Sequence, residues 1–191
     1  MRKVIAVTNM TLDGVCDHTA VDPDEQIHRH YAGVLKGAGT ILYGRITYEL
    51  MEYWRDLLEH PSDNAAMNAF ALTMDRVPKI VFSHSLQTKG AAAITWQSAR
   101  LASRSFEEEV LALKQEPGKD ILLGSPGMIV QATNLGLVDE YHLCVHPVVA
   151  TQGLPLFKNI SKRFNLKLLE TKTFDSGAVM LYYEPVKRTE P

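Results

Sequence analysis

The sequence predicts a three-layer α/β fold: a mixed, mostly parallel sheet with helices on both faces and a C-terminal antiparallel hairpin. Three observations predict its α/β architecture. Short apolar runs alternate with amphipathic runs along most of the 191 residues. Two apolar runs pass through glycine directly into a helical pattern. Residues 164–172 and 178–184 alternate as two strands around a turn at 175–177.

The first half of the chain follows this alternation. A strand is expected over 3–8, followed by a polar loop over 9–22 and a helix over 24–36, in which apolar residues recur at helical spacing. A strand at 40–43 precedes helices over 46–54, ending at Tyr53 and Trp54, and over 62–74. Ser62 is predicted to cap the second of these helices.

The second half begins with a strand at 79–82 behind Pro78, and a shorter strand is plausible at 93–96. Ser105 is predicted to cap a helix whose acidic first turn complements the helix dipole. A strand, turn and helix then span 121–135, and another strand covers 141–149.

Length and composition fit a single domain over residues 1–191. The hydrophobic content is 46%, the formal charge is −2 and the pI is near 6.4, so no general attraction to nucleic acid or to an anionic membrane is expected. Cys16 and Cys144 are far apart and form no zinc-binding spacing, which predicts reduced thiols, no metal and a cytoplasmic protein. No signal peptide or membrane-spanning run is apparent.

Three predicted strand ends carry the residues most suited to a ligand. In parallel sheets the carboxyl ends of the strands form the ligand crevice, and helix starts there offer free N–H groups to phosphate. The candidate binding residues are Gly44, Arg45 and Thr47 after the second strand, Ser83, His84 and Ser85 after the third, and Gly124, Ser125, Pro126, Gly127 and Met128 after residue 123. The G-x-G-x-x-G and P-loop motifs are absent. Together the strand ends favour a dinucleotide.

The chain resembles the dihydrofolate reductase-like group, particularly the C-terminal reductase domain of the bifunctional riboflavin-biosynthesis deaminase/reductase. The matching segments run almost from end to end: 10–14, 42–49, 79–83, 123–125 with 136–140, and 147–149 with 153–157. The resemblance implies NADPH as the cofactor, with Arg45 and the serines after residue 82 holding its 2′-phosphate, the turn at 124–128 its pyrophosphate, and Thr47 at the helix start beneath. It also implies a homodimer.

The predicted activity is NADPH-dependent reduction of a small planar heterocycle, such as a pteridine or pyrimidine. Candidates for the proton route are Asp13, His28 and Tyr48, although Asp13 also suits a turn and His28 also suits a structural role. His28 occupies the place where a true dihydrofolate reductase keeps an acid, so folate reduction is expected to be slow or absent. A non-catalytic NADP-binding module and a true dihydrofolate reductase are the alternatives.

Overall fold

Eight strands form one continuous sheet in the computed structural model, which describes residues 1–89 and 94–186. The strands are β1 (Val4–Thr11), β2 (Ala38–Gly44), β3 (Lys79–Phe82), β4 (Ala99–Leu101), β5 (Asp120–Leu123), β6 (Glu140–His146), β7 (Leu166–Thr173) and β8 (Val179–Pro185). Their order is β4-β3-β2-β5-β1-β6-β8-β7. Strands β1 to β6 are parallel, and β8 and β7 complete the sheet as an antiparallel pair.

Within residues 1–89 and 94–186, six helices connect the strands: α1 (Glu25–Lys36), α2 (Arg45–Glu59), α3 (Ala65–Arg76), α4 (His84–Lys89), α5 (Phe106–Gln115) and α6 (Pro126–Asn134). Alternate residues of the strands enter two separate cores. Leu42 packs with α5 and α6, whereas its neighbours Ile41 and Tyr43 pack with α1, α2 and α3. The predicted fold class, with helices on both faces and a C-terminal hairpin, is confirmed.

Helix caps show where local sequence decides the structure. Ser105 caps α5 in a capping box with Glu108, as predicted. The predicted cap at Ser62 is wrong, because the Asn64 side chain accepts the N–H groups of residues 66 and 67 and α3 begins at Ala65. Ser62 instead forms hydrogen bonds with Asn68 through its backbone N–H and C=O groups.

The strand predicted at 93–96 is also wrong in its described part. Residue 93 lies outside the described residues, and residues 94–96 form no strand. Ile94 and Trp96 have side chains that favour strands, but here they pack against the layer formed by α2 and α3. The indole N–H of the buried Trp96 donates to Asp75. The sheet gains its edge strand slightly later, at β4.

Several predicted boundaries move. Strand β1 runs to Thr11, so residues 9–11 belong to the sheet and not to the predicted polar loop. Strand β6 ends at His146 rather than at 149, since Pro147 has no N–H group to continue the ladder. Helix α2 runs to Glu59, so Tyr53 and Trp54 lie within it and do not end it. Among residues 1–89 and 94–186, no helix is long and apolar enough to cross a membrane.

Strand β1 extends well beyond its neighbour β5, which ends at Leu123. It pairs with β5 only from Val4 to Ala6, whereas its pairing with β6 continues from Ile5 to Thr11. At the usual rise per residue, the part of β1 beyond Ala6 extends about 16 Å past the shared ladder. The carboxyl edge of the sheet is therefore open between these two strands.

Candidate active site

The structure brings the three predicted strand ends together at the carboxyl edge of the sheet. The backbone N–H of Gly44, at the end of β2, donates to the Ser125 hydroxyl beyond β5 at 2.9 Å. On its other side Gly44 pairs with Phe82, the last residue of β3, and Ser83 follows immediately. The turns after β3, β2 and β5 therefore form one continuous rim.

The start of α2 offers free hydrogen-bond donors to this rim. Gly44 is the N-cap and has no side chain to accept the first N–H groups, and those of residues 45–47 bond to no other described backbone group. Arg45 lies in this first turn, exposed, and its guanidinium holds Glu49 at 2.8 and 3.1 Å. Thr47 is half-buried in the same turn. The positive helix end and the guanidinium together suit an anion.

The start of α6 is the second such helix end. Ser125 is buried, and because its hydroxyl is engaged by Gly44 it makes no capping bond to its own helix. Pro126 occupies the first turn, where its missing N–H costs little. A Cβ atom built on Gly127 would meet nothing within 4 Å, whereas Met128 is buried beneath. The surface above Gly127 is therefore open to a ligand.

Gly124 has a structural reason that the sequence did not reveal. The sequence prediction was that its backbone approaches pyrophosphate. In the structure, a Cβ atom here would lie 2.5 Å from Cε1 of Tyr43, a buried ring on the neighbouring strand. The absence of a side chain at Gly124 is thus required by packing within the sheet, whatever binds above it.

The serines after β3 face the same rim. The Ser83 hydroxyl accepts the N–H of Leu86 at 3.1 Å and so caps the short helix α4. It also lies 3.1 Å from the hydroxyl of Ser85, which is exposed together with His84. These polar groups stand beside Gly44 because β3 is the neighbour of β2.

Asp13 holds two loops together. Its carboxylate accepts the N–H groups of Ala150 and Thr151 at 3.1 and 2.9 Å, as well as the Thr11 hydroxyl. The Thr11 hydroxyl and then these amides lower the pKa of Asp13 to about 2. The carboxylate is therefore ionised at neutral pH, in a form that accepts hydrogen bonds and has no proton to donate.

Further backbone hydrogen bonds join the same segments: Leu12 N–H to Val148, Cys16 N–H to Leu154, and Leu156 N–H to Gly14, at 2.7 to 2.9 Å. We call the joined segments 11–16 and 148–156 the loop clasp. It extends the wall that β1 and β6 form.

The structure does not bring His28 and Tyr48 to Asp13. His28 lies in α1 with its ring edge-on to Trp54 and Phe70, at centroid distances of 5.6 and 6.0 Å. Its Nδ1 is buried without a partner among the described residues, and burial lowers the pKa of His28. Tyr48 is 1% exposed, and its hydroxyl accepts the backbone N–H of Trp96 at 3.4 Å inside the core.

The sequence analysis missed a polar cluster on the β1–β6 wall. Asn9 of β1 accepts the Tyr31 hydroxyl at 3.1 Å and contacts His146 Nε2 at 3.0 Å through the same amide oxygen. The sequence analysis placed Asn9 in the polar loop predicted over 9–22, where an amide is ordinary, so it gave no signal of this cluster. Asn9 and His146 are 137 positions apart, so only the pairing of β1 with β6 brings them together.

A cavity of about 520 Å³ lies at the opposite edge of the sheet, lined in part by Thr133, Asn134, Lys162, Phe164 and Val186. It adjoins the C-terminal end of α6, away from the three strand ends that form the rim, and Arg163 also lines it. Over residues 1–89 and 94–186, no group of three or more His, Cys, Asp or Glu side chains is arranged to hold a metal ion.

Comparison with known proteins agrees with this architecture. The family model of the RibD C-terminal domain matches residues 2–180. The uncharacterized protein YyaP of Bacillus subtilis (strain 168) is 35% identical over 190 residues, covering 95% of this chain and 94% of YyaP.

Two solved structures share the fold at low sequence identity. One, from Shewanella sp. PV-4 and named for riboflavin biosynthesis, has a TM-score of 0.72 at 14% identity, covering 97% of this chain and 99% of that one. A pyrimidine reductase-like protein of Corynebacterium diphtheriae has a TM-score of 0.69 at 17% identity, covering 98% and 93%. The chain belongs to the RibD C-terminal domain family, within the dihydrofolate reductase-like fold.

Proposed function

We propose that this protein is an NADPH-dependent reductase of a small planar heterocycle. The observation that carries the proposal is the joined rim, where the hydrogen bond between Gly44 and Ser125 sets two helix N-termini side by side next to an exposed arginine. Two helix ends and a guanidinium fit the pyrophosphate and the 2′-phosphate of one dinucleotide. The pyrimidine reductase-like name of the Corynebacterium neighbour supports the same class of reaction.

Arg45 is the residue proposed to select NADPH over NADH. Its present partner, Glu49, is one turn further along α2, and both side chains are more than 40% exposed. An exposed pair of this kind contributes only about 0.3–0.5 kcal/mol, so a phosphate dianion can replace Glu49 at small cost. Ser83 and Ser85 add hydroxyl groups beside the same rim.

When bound, NADPH supplies the hydride. The chain's own residues orient the reactants and exclude water. The substrate is proposed to lie next to the rim, at the opening between β1 and β5, with the β1–β6 wall on its far side. Because Asp13 is ionised and engaged in the loop clasp, we assign it a positioning role. His28 remains the proposed proton relay, and the burial of Tyr48 argues against the predicted proton role for it.

The cofactor assignment is tested by Arg45→Ala. We expect NADPH affinity to fall by about 1.5–3 kcal/mol, roughly 10- to 150-fold, with NADH affinity hardly changed, because NADH lacks the phosphate that Arg45 contacts. Calorimetric titration of both cofactors measures this. Arg29→Ala is the matched control, since Arg29 forms the same exposed pair with Glu25 on α1. Equal losses for the two cofactors in the Arg45 variant would sink the assignment.

Catalysis is tested separately from binding. We expect NADPH absorbance to fall when purified protein is mixed with members of a panel of pteridines, pyrimidines and quinonoid compounds, and dihydrofolate to be turned over slowly or not at all. His28 offers an imidazole ring where a carboxylate would make paired hydrogen bonds to a 2-amino-4-oxo ring. NADPH binding without any turnover would instead identify a binding module, and rapid dihydrofolate turnover a true dihydrofolate reductase.

We further propose a homodimer of single-domain subunits in the cytoplasm, where the two free thiols, Cys16 and Cys144, stay reduced. Strand β7 is an edge strand and exposes Leu168 and Leu169, 48% and 44% accessible. A closed two-fold contact would cover these residues and the open edge. Light scattering at micromolar concentration should give twice the 21.3 kDa mass of one chain, and the monomer mass would contradict the dimer.

A further inference from the structure

The polar cluster on the β1–β6 wall is organised around one amide. The Asn9 side-chain oxygen accepts from Tyr31 at 3.1 Å and faces His146 Nε2 at 3.0 Å. Asn9 and His146 extend from adjacent strands on the face that α1 covers, and His146 is the last residue of β6. The cluster therefore lies next to the opening between β1 and β5, one strand away from the cofactor rim.

Two polar atoms of this cluster have no partner among the described residues. Asn9 Oδ1 accepts hydrogen bonds from both Tyr31 and His146, so the Asn9 NH2 group is left as a free donor. His146 carries its proton on Nε2 in this arrangement, so its Nδ1 is left as a free acceptor. Neither atom is sealed from solvent, whereas the unpartnered Nδ1 atoms of His28 and His142 are. Burial lowers the pKa of His146, so the ring is neutral at pH 7.

The pair presents the same chemistry in either amide orientation. With the Asn9 amide turned over, its oxygen becomes the free acceptor and His146 Nδ1–H becomes the free donor. In both arrangements the Asn9–His146 pair offers a ligand one hydrogen-bond donor group and one acceptor, and neither group is charged. Adjacent C=O and N–H groups, the edge of a lactam in a heterocycle, complement such a pair.

The charge on this side of the site disfavours phosphate. Residues 4–28 and 141–157, which form β1, β6 and their loops, contain no lysine or arginine, but the first of these segments contains five carboxylates. Three basic residues adjoin them. Lys3 precedes β1 and pairs with Glu140. Arg29 is exposed and pairs with Glu25, and Lys158 begins the stretch whose next residue hydrogen-bonds Asn134 at the opposite edge. These two segments therefore offer a phosphorylated substrate carboxylates and no lysine or arginine of their own.

We propose that the β1–β6 wall binds an uncharged, unphosphorylated heterocycle by its lactam edge, with Asn9 and His146 as the specificity-determining residues. This inference rests on the proposed function, because the reductase supplies the reason for a substrate beside the rim. It separates this chain from any reductase whose substrate carries a sugar phosphate.

The test uses two matched pairs of probes that share a lactam edge and differ by one phosphate: uridine with uridine 5′-monophosphate, and riboflavin with flavin mononucleotide. Titrations are made with NADP⁺ present, so that the Arg45 end is filled and no reduction occurs. We expect a neutral member to bind at least 10-fold more tightly than its phosphorylated partner.

Asn9→Asp is the decisive variant. An aspartate has nearly the same shape and still accepts from Tyr31 and His146, but it removes the NH2 donor, so the affinity for the neutral probe should fall at least 10-fold in a folded protein. His142→Gln, four residues earlier on the same face of β6, is the control and should leave that affinity unchanged. Equal or tighter binding of the phosphorylated probes, unchanged binding to Asn9→Asp, or no binding of either neutral probe would overturn the inference.

The two proposals fail separately. If NADPH binds in the manner that Arg45→Ala predicts but neither neutral probe binds, the substrate inference is wrong and the reductase proposal is intact. If a neutral probe binds through Asn9 but NADPH does not bind, the wall is a ligand site and the reductase proposal is wrong.

Discussion

Two glycines at the start of α6 offer opposite mutational tests. The position above Gly127 is empty, so Gly127→Val should fold normally while its side chain occupies the space proposed for pyrophosphate. NADPH affinity should fall at least about tenfold, or 1.4 kcal/mol. Gly124→Ala should instead lower the thermal midpoint, because its Cβ atom would overlap the Tyr43 ring. Undiminished NADPH affinity in folded Gly127→Val would refute the pyrophosphate assignment.

The same two residues mark a limit of sequence reasoning. A glycine between a strand and a helix indicates that a side chain is excluded, but not what excludes it. At Gly124 the excluding group is a tyrosine of the neighbouring strand, some 80 positions away in the chain, which only the pairing of β2 with β5 brings near. The sequence therefore located the turn but did not reveal the Tyr43 contact, and the contact of Gly124 with pyrophosphate stays a prediction.

At the scale of elements, a buried lysine joins α3, β3 and the segment before β4. Lys79 is 1% exposed, and its ammonium donates to the carbonyls of Met74 and Val77 at 2.6 and 2.8 Å and to the Ser98 hydroxyl at 2.9 Å. It also lies 3.9 Å from the Trp96 ring centroid. The ammonium thus satisfies the free carbonyls at the end of α3.

Lys79→Met tests this junction. The variant keeps most of the buried volume but leaves those acceptors unsatisfied, so we expect the free energy of unfolding to fall by about 2–4 kcal/mol. Urea denaturation measures the change, and Lys167→Met, at an exposed lysine of β7, is the control. A loss below the measurement error would show that the acceptors find water instead.

Most elements were predictable because local patterns decide them. The capping box at Ser105 needs no information from the rest of the chain, and the alternation around Ile41, Leu42 and Tyr43 follows from two buried faces. Where local signals were ambiguous, tertiary contacts decided. Ser62 and Asn64 are both good caps, and the β-rich residues before β4 pack into a helical layer because Trp96 finds a partner in Asp75.

At the scale of the whole molecule, buried histidines make stability depend on pH. Burial lowers the pKa of His28, His142 and His146, and burial together with nearby Lys172 lowers the pKa of His30 to about 4. Between this value and the ordinary 6.5, the unfolded chain binds protons that the folded chain does not. Stability is therefore fully present above pH 6.5 and is lost as the pH falls toward 4.

We expect His30 alone to contribute about 1–2 kcal/mol to this loss, a value reduced for its partial exposure to solvent. Denaturant titrations at pH 7.5, 6 and 5 measure it. His30→Gln should reduce the slope, and His60→Gln, at an exposed histidine, should not. A free energy of unfolding that stays constant from pH 7.5 to 5 would contradict the prediction.

Only the rim of the candidate site could be predicted from the sequence, because each of its turns is formed by residues that are neighbours in the chain. The cofactor rim consists of turns that each carry their own signal, a strand followed by glycine or serine. The β1–β6 wall has no such signal in the sequence. Asn9, Tyr31 and His146 form their hydrogen bonds only when α1 packs over β1 and β6. Asp13 was recognised as important, but its loop partners lie 137 and 138 positions away.

Because β1 extends beyond the end of β5, the two halves of the crevice share a ladder only along the first residues of β1. Beyond Ala6 the substrate wall is tied to β6 and to itself through the loop clasp, and it shares no ladder with the cofactor rim. Under the proposed function, substitutions in the wall should therefore change the substrate preference and leave the cofactor preference unchanged. For the same reason, a graft of new specificity should transfer residues 7–16 and 142–156 together, because either segment alone would arrive without the partner that completes it.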